Sequence, residues 1–194
     1  NSDGRDGALA WSSSEATWGE EDATQAEIDS FVFLNITQRW VAEYAYDVSL
    51  TTYKIRSTVN IAESCNAYYD GNVNFFSKGE GCNNTGRILD VNIHEWGHGL
   101  HYSAANSNYL DGSVGEGAGD TLAVLNTGDP VMAPYFLESG SGIREVASDR
   151  SYPDDIVGEV HADGLIYAGA MWDTWAELEG AIGADAAYDV VARL

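Results

Sequence analysis

Apolar side chains recur at every fourth position from Ile28 through Val32, Ile36 and Trp40 to Tyr44, a helical rhythm rather than an extended one. Thr24, followed three residues later by Glu27, forms a capping box at its start. The spacing therefore predicts a long helix from Thr24 with this aromatic-bearing row turned to the core. Ile55 to Ile61 instead alternates apolar with polar residues, and Ala67–Tyr69 and Val73–Phe76 flank Asp70-Gly71-Asn72, the chemistry of a hairpin turn. These segments predict a small antiparallel sheet. Further helices are expected over Arg87 to Tyr102, about Glu116 to Leu125, and His161 to Glu179, separated by loops containing Pro130, Pro134 and Pro153. Asn1 to about Ala23, rich in Gly, Ser, Asp and Glu, reads as a surface arm. Strands early and helices late make an α+β chain.

Length and charge narrow the function. With 194 residues, 44% of them hydrophobic, the chain can bury one good core. It reads as a single domain, with an α+β lobe over about 1–102 and a mainly helical lobe over about 103–194. Nine basic residues against 31 acidic ones give a formal charge of -22, which repels phosphate backbones and anionic lipid. Nucleic acid and membrane surfaces are therefore not expected partners. There is no membrane-length apolar run, and the start at Asn1 suggests a processed or excised domain. Cys65 and Cys82, the two cysteines, could close a small loop over the Asp70-Gly71 turn in an oxidising compartment, or they could be two separate buried thiols.

His94-Glu95-Trp96-Gly97-His98 is the pattern H-E-x-x-H. On a helix the two histidines differ by only about 40° in azimuth and about 6 Å in rise, so both imidazoles can share one ion. Glu95 projects about 100° away from His94, able to serve as a base without occupying a coordination position. Catalytic zinc takes three protein ligands and keeps a fourth position open. His101 is one candidate for the third, but a single helix cannot easily wrap three imidazoles around an ion. Glu116 is the better candidate, because Asp120 follows it four residues later and can accept the second N–H of a ligand histidine. A metzincin would need Gly at position 101 and His at position 104, where this chain has His101 and Ala104.

His94-Glu95-x-x-His98 followed by Gly115-Glu116-x-x-x-Asp120 resembles the gluzincin metallopeptidases of the thermolysin type, and Gly115-Glu116-Gly117 resembles the fungalysins in particular. Leu89-Asp90-Val91 agrees with this. Asn66-Ala67-Tyr68-Tyr69 is similar to the family's edge strand, which implies that Asn66 and Ala67 hold extended substrate by backbone hydrogen bonds. Gly142-Ile143-Arg144 is similar to the fungalysin segment whose arginine faces a substrate carbonyl. Gly158 to Ile166 is similar to the segment carrying the family's second catalytic histidine, here His161. Tyr109 is the nearer candidate for the oxyanion tyrosine and Tyr152 the alternative, while Asp155 could orient His161.

The resemblance implies a zincin-like fold and a zinc-dependent endopeptidase in which Glu95 is the general base for an activated water. It also implies a protein or peptide substrate, one catalytic zinc, and secretion after removal of a prosegment. Calcium is common in the family, and Asp90 stands where a calcium-linked aspartate is found. The alternatives are an aminopeptidase and a zinc-binding module inactive as isolated. Oligomeric state is left open.

Overall fold

A computed structural model describes residues 23–44, 54–105 and 112–193. In chain order these form α1 (Gln25–Tyr44), β1 (Ser57–Ile61), β2 (Ala67–Tyr69), β3 (Val73–Phe76), α2 (Leu89–Ala104), α3 (Gly112–Thr127), β4 (Val131–Met132), β5 (Arg144–Glu145), α4 (Val160–Ile182) and α5 (Ala184–Val191). The class is α+β, as expected. Among the described residues no helix is long and apolar enough to cross a membrane.

Helix α1 begins as its sequence dictates, with Glu27 Oε2 accepting the Thr24 N–H at 2.6 Å. Its buried face is not the expected one, however. Val32 and Ile36 are 42% and 47% exposed, whereas Ala26, Ser30, Leu34, Thr37 and Val41 are buried. An i, i+4 row advances about 40° per step, so Ile28 to Tyr44 sweeps about 160° around the helix, and only its last members approach the core side. The small polar members of the true face let α1 close on β1, where Ser30 and Ser57 share a 2.7 Å hydroxyl contact. Trp40 and Tyr44 join Tyr188 and Trp175 in an aromatic cluster between α1, α4 and α5. Helix α5 has no counterpart among the helices that the apolar spacing predicts.

The sheet needs a second correction. Strands β2 and β3 form the expected antiparallel hairpin, but β1 pairs with β3 in parallel, in the order β1-β3-β2. Two chain reversals bring β3 back in the direction of β1. All four residues of β3 are buried, which suits the central place, while β2 exposes Tyr68 and takes the edge. Among the described residues no strand pairs with the outer side of β2. Cys65 and Cys82 are joined in a disulfide that ties the approach to β2 to the loop after β3.

Helix α2 runs through the middle of the molecule, with every residue from Asp90 to Gly97 buried. It packs against α3, and α3 packs against α4. These helices approach closely because glycines face one another. A Cβ on Gly117 would lie 2.6 Å from the Gly164 carbonyl oxygen.

Candidate metal centre

Helix α2 brings His94 and His98 to one side, with ring centroids 4.6 Å apart, and α3 carries Glu116 across to meet them. His94 Nε2 lies 3.2 Å from Glu116 Oε2, and His98 Nε2 lies 3.7 Å from Glu116 Oε1. All three donor atoms fall within 4.8 Å of one another, the only such group of three or more His, Cys, Asp or Glu among the described residues. Bonds of about 2.0 to 2.1 Å in a tetrahedron place neighbouring ligands about 3.3 Å apart, so the donors are spaced for one zinc ion. Glu116 Oε2 is buried without a well-directed hydrogen bond, although His94 Nε2 and His161 Nε2 lie 3.2 and 3.3 Å away, and Glu95 Oε2 is buried without a donor among the described residues.

Asp120 stands behind this group, fully buried. Its Oδ1 is 2.9 Å from His94 Nδ1, and Arg144 on β5 grips both of its oxygens at 2.6 Å. Burial disfavours the Asp120 carboxylate, but His94 and Arg144 overcome it and hold its pKa down to about 2. Burial likewise opposes charge on His94, yet the Asp120 and Glu116 carboxylates raise it to about 10. Partial burial, with the neighbouring His94 adding, pushes His98 down to about 4. Glu95 is pushed up to about 7 by burial, with Glu116 adding and His94 and Arg144 opposing. A carboxylate poised there can exchange protons near neutral pH.

The His94 ring packs against α3 where the helix has no side chain, at position 119. A Cβ on Gly119 would sit 2.8 Å from His94 Nδ1, inside the imidazole's contact distance. In the pattern Gly115-Glu116-x-x-x-Asp120 position 119 is one of the unassigned places, and its glycine has this packing reason.

His161, in the first turn of α4, reaches the same place, with Nε2 3.3 Å from Glu116 Oε2. Its partner differs from the expected one. Asp155 Oδ2 accepts the Ser151 N–H at 2.8 Å, and Glu159 Oε1 lies 2.8 Å from His161 Nδ1. Glu159 also caps α4 by accepting the His161 and Ala162 N–H groups, so one carboxylate starts the helix and holds the ring. The His161 ring, with these N–H donors adding, lowers Glu159 to about 2. An acidic residue two places before a helix-start histidine is the signal that would have found it. Asp163 pins the preceding loop by accepting the Val157 and Gly158 N–H groups.

Of the remaining candidates, Asn66 is exposed beside edge strand β2, and Ala67 pairs with Phe75. Arg144 is committed to Asp120 through Nε and Nη2. Tyr152 is 78% exposed, and Tyr109 lies outside the described residues. His101, the rival third ligand, is not in the donor group. Asp90, the calcium-linked position, accepts the Ala133 N–H at 2.9 Å.

The structure of the precursor of protealysin, a metalloproteinase from Serratia proteamaculans, aligns with a TM-score of 0.69 over 86% of this chain at 18% identity. The present chain spans 65% of that one. No curated protein matches the sequence. The sequence profile of the thermolysin metallopeptidase catalytic domain matches residues 2–101, which take in His94, Glu95 and His98 but stop short of Glu116. That match covers more than half of the sequence, and the chain belongs to the thermolysin metallopeptidase family.

Proposed function

We propose that the chain is a zinc-dependent endopeptidase acting on peptide or protein substrates. The observation that carries this reading is Glu95 Oε2, buried without a hydrogen-bond donor among the described residues, beside the His94, His98 and Glu116 donor group. Those three residues would hold zinc, which when bound supplies a Lewis acid that lowers the pKa of water toward about 7 and polarises a carbonyl. Glu95 takes the proton of the attacking water and returns it to the departing amine, acting as base and then as acid. His161, held at Nδ1 by Glu159, donates from Nε2 to the oxygen that gains charge, a contribution of about 3 kcal/mol for one good donor. Asp120 fixes the tautomer of His94, and Tyr109 is the candidate second donor.

Edge strand β2, with Asn66 and Ala67, would pair with extended substrate on both sides of the scissile bond, which favours an endopeptidase. Arg144, anchored to Asp120, has its remaining N–H groups for a substrate carbonyl. Residues 1–102 and 103–194 are read as one catalytic unit, because α2 and α3 each supply donors to one site. The finer kinship with fungalysins rests on Gly115-Glu116-Gly117 and Gly142-Ile143-Arg144. The disulfide supports secretion into an oxidising medium.

The test is cleavage of casein by the purified chain and by Glu95→Gln, with chelator treatment and zinc add-back. Activity should vanish with chelator, return with zinc, and fall by about a hundredfold or more in the variant. A wild-type chain that binds one zinc and cleaves nothing would overturn the endopeptidase reading.

A further inference from the structure

We propose that Thr85 and the Cys65–Cys82 disulfide act as a positioning brace that fixes edge strand β2 relative to the Arg144 hairpin, and so governs substrate binding without touching the reacting atoms. The proposal rests on the reading of β2 as the substrate strand.

Thr85 is fully buried. Its hydroxyl donates to the Asn66 carbonyl at 3.0 Å and accepts the Phe76 N–H at 2.8 Å, bridging the start of β2 to the end of β3. Cys65, the residue just before Asn66, has φ +60°, a left-handed conformation uncommon for a residue with a side chain. The disulfide holds it there from Cys82. Cys82 lies in a tight turn with mutual Gly79 and Cys82 backbone hydrogen bonds.

The other side of that turn is sewn to the loop between β4 and β5. The Asn83 N–H donates to the Phe136 carbonyl at 2.9 Å, the Glu138 N–H donates to the Gly81 carbonyl at 2.8 Å, and Asn83 Nδ2 donates to the Tyr135 carbonyl at 2.8 Å. That loop leads into β5, where Ile143 N–H bonds to the Met132 carbonyl and Arg144 turns inward to Asp120. The two walls that would flank substrate, β2 and Arg144, are thus joined through residues 79–85. None of the zinc donors takes part. Loosening the brace should let β2 drift relative to Arg144 while leaving the donor group and Glu95 in place.

The experiment compares the zinc-loaded protein with and without a phosphine reductant, together with Cys65→Ser/Cys82→Ser, Thr85→Val and Thr85→Ser. The readouts are KM, kcat, zinc content and amide hydrogen exchange. Reduction and Thr85→Val should raise KM about tenfold while kcat stays within about twofold, as loss of positioning without loss of chemistry requires. One zinc per chain should be retained, and Thr85→Ser should behave as wild type. Exchange should quicken together in β2 and residues 136–138, with α2 unchanged. Wild-type KM and unchanged β2 protection in the reduced, folded protein would overturn the brace. So would a parallel fall of kcat and zinc content, which would mean general loosening. The exchange data judge the brace even if the wild type shows no turnover. If wild-type protein binds a peptide and its backbone-N-methylated counterpart equally well, the substrate-strand reading fails on its own.

Discussion

Asp120 Oδ1 lies 2.9 Å from His94 Nδ1, while the other ring nitrogen, Nε2, lies 3.2 Å from Glu116 Oε2. Asp120→Asn keeps the shape but exchanges an acceptor pair for one acceptor and one donor. It also leaves the half-buried Arg144 guanidinium without its counter-charge. Zinc affinity, measured by competition with a chromophoric chelator, should fall about 10- to 100-fold. Unchanged affinity would remove Asp120 from the site's support.

Gly119→Ala sets two effects against each other. Replacing a helical glycine with alanine ordinarily favours the helix by about 0.5–1 kcal/mol. Here the new methyl would stand 2.8 Å from His94 Nδ1, with the imidazole held between α2 and α3, and overpacking of this kind costs about 1–3 kcal/mol. The clash should win. The variant is expected to melt lower than wild type and to bind zinc weakly, whereas Gly180→Ala, at an open position in α4, should not. A Gly119→Ala protein with full zinc occupancy would show that the ring can move aside at no cost.

The parts legible in the sequence were those whose chemistry lies within one turn of helix. His94, Glu95 and His98 are fixed by spacing on α2, and Glu116 with Asp120 by spacing on α3. The hairpin of β2 and β3 was legible from Asp70-Gly71-Asn72 for the same reason. What stayed hidden depends on neighbours distant in sequence. The buried face of α1 is chosen by how closely β1 approaches Ser30, not by its most apolar row. The parallel pairing of β1 follows from the two chain reversals that separate it from β3. Gly119 matters only because α3 crosses His94, and Glu159 displaces Asp155 as the partner of His161 because it already sits at the cap of α4.

Glu159→Gln tests that displacement. The amide can still accept an N–H at the start of α4, but it no longer offers a carboxylate to His161 Nδ1. If His161 serves the charged oxygen of the reaction, kcat should fall about tenfold with KM nearly unchanged, the pattern of an interaction made only in the transition state. Zinc content should remain at one per chain, and Asp155→Asn should leave kcat at the wild-type level. A fall in kcat for Asp155→Asn but not for Glu159→Gln would reverse the assignment.

Asp90 should make stability depend on pH in the opposite sense to a salt-bridged carboxylate. It is 4% exposed, and burial, with Asp129 and Asp120 adding, raises its pKa from 3.8 to about 6 although the Ala133 N–H opposes the shift. The folded state therefore binds its proton more tightly than the unfolded chain does. The stabilisation is fully present below about 3.8 and is lost as pH rises through about 6. A shift of about two pKa units corresponds to roughly 3 kcal/mol. Asp90→Asn removes the titration but keeps an oxygen for the Ala133 N–H. Urea denaturation at pH 4 through 8 should show the variant gaining on wild type as pH rises, by up to about 3 kcal/mol across the window. His94, His98 and Glu116 are present in both proteins, so their own titrations largely cancel in the difference. A difference that stays flat, or that turns against Asp90→Asn at high pH, would mean that Asp90 is ionised in the folded protein and stabilised by a cation or by water.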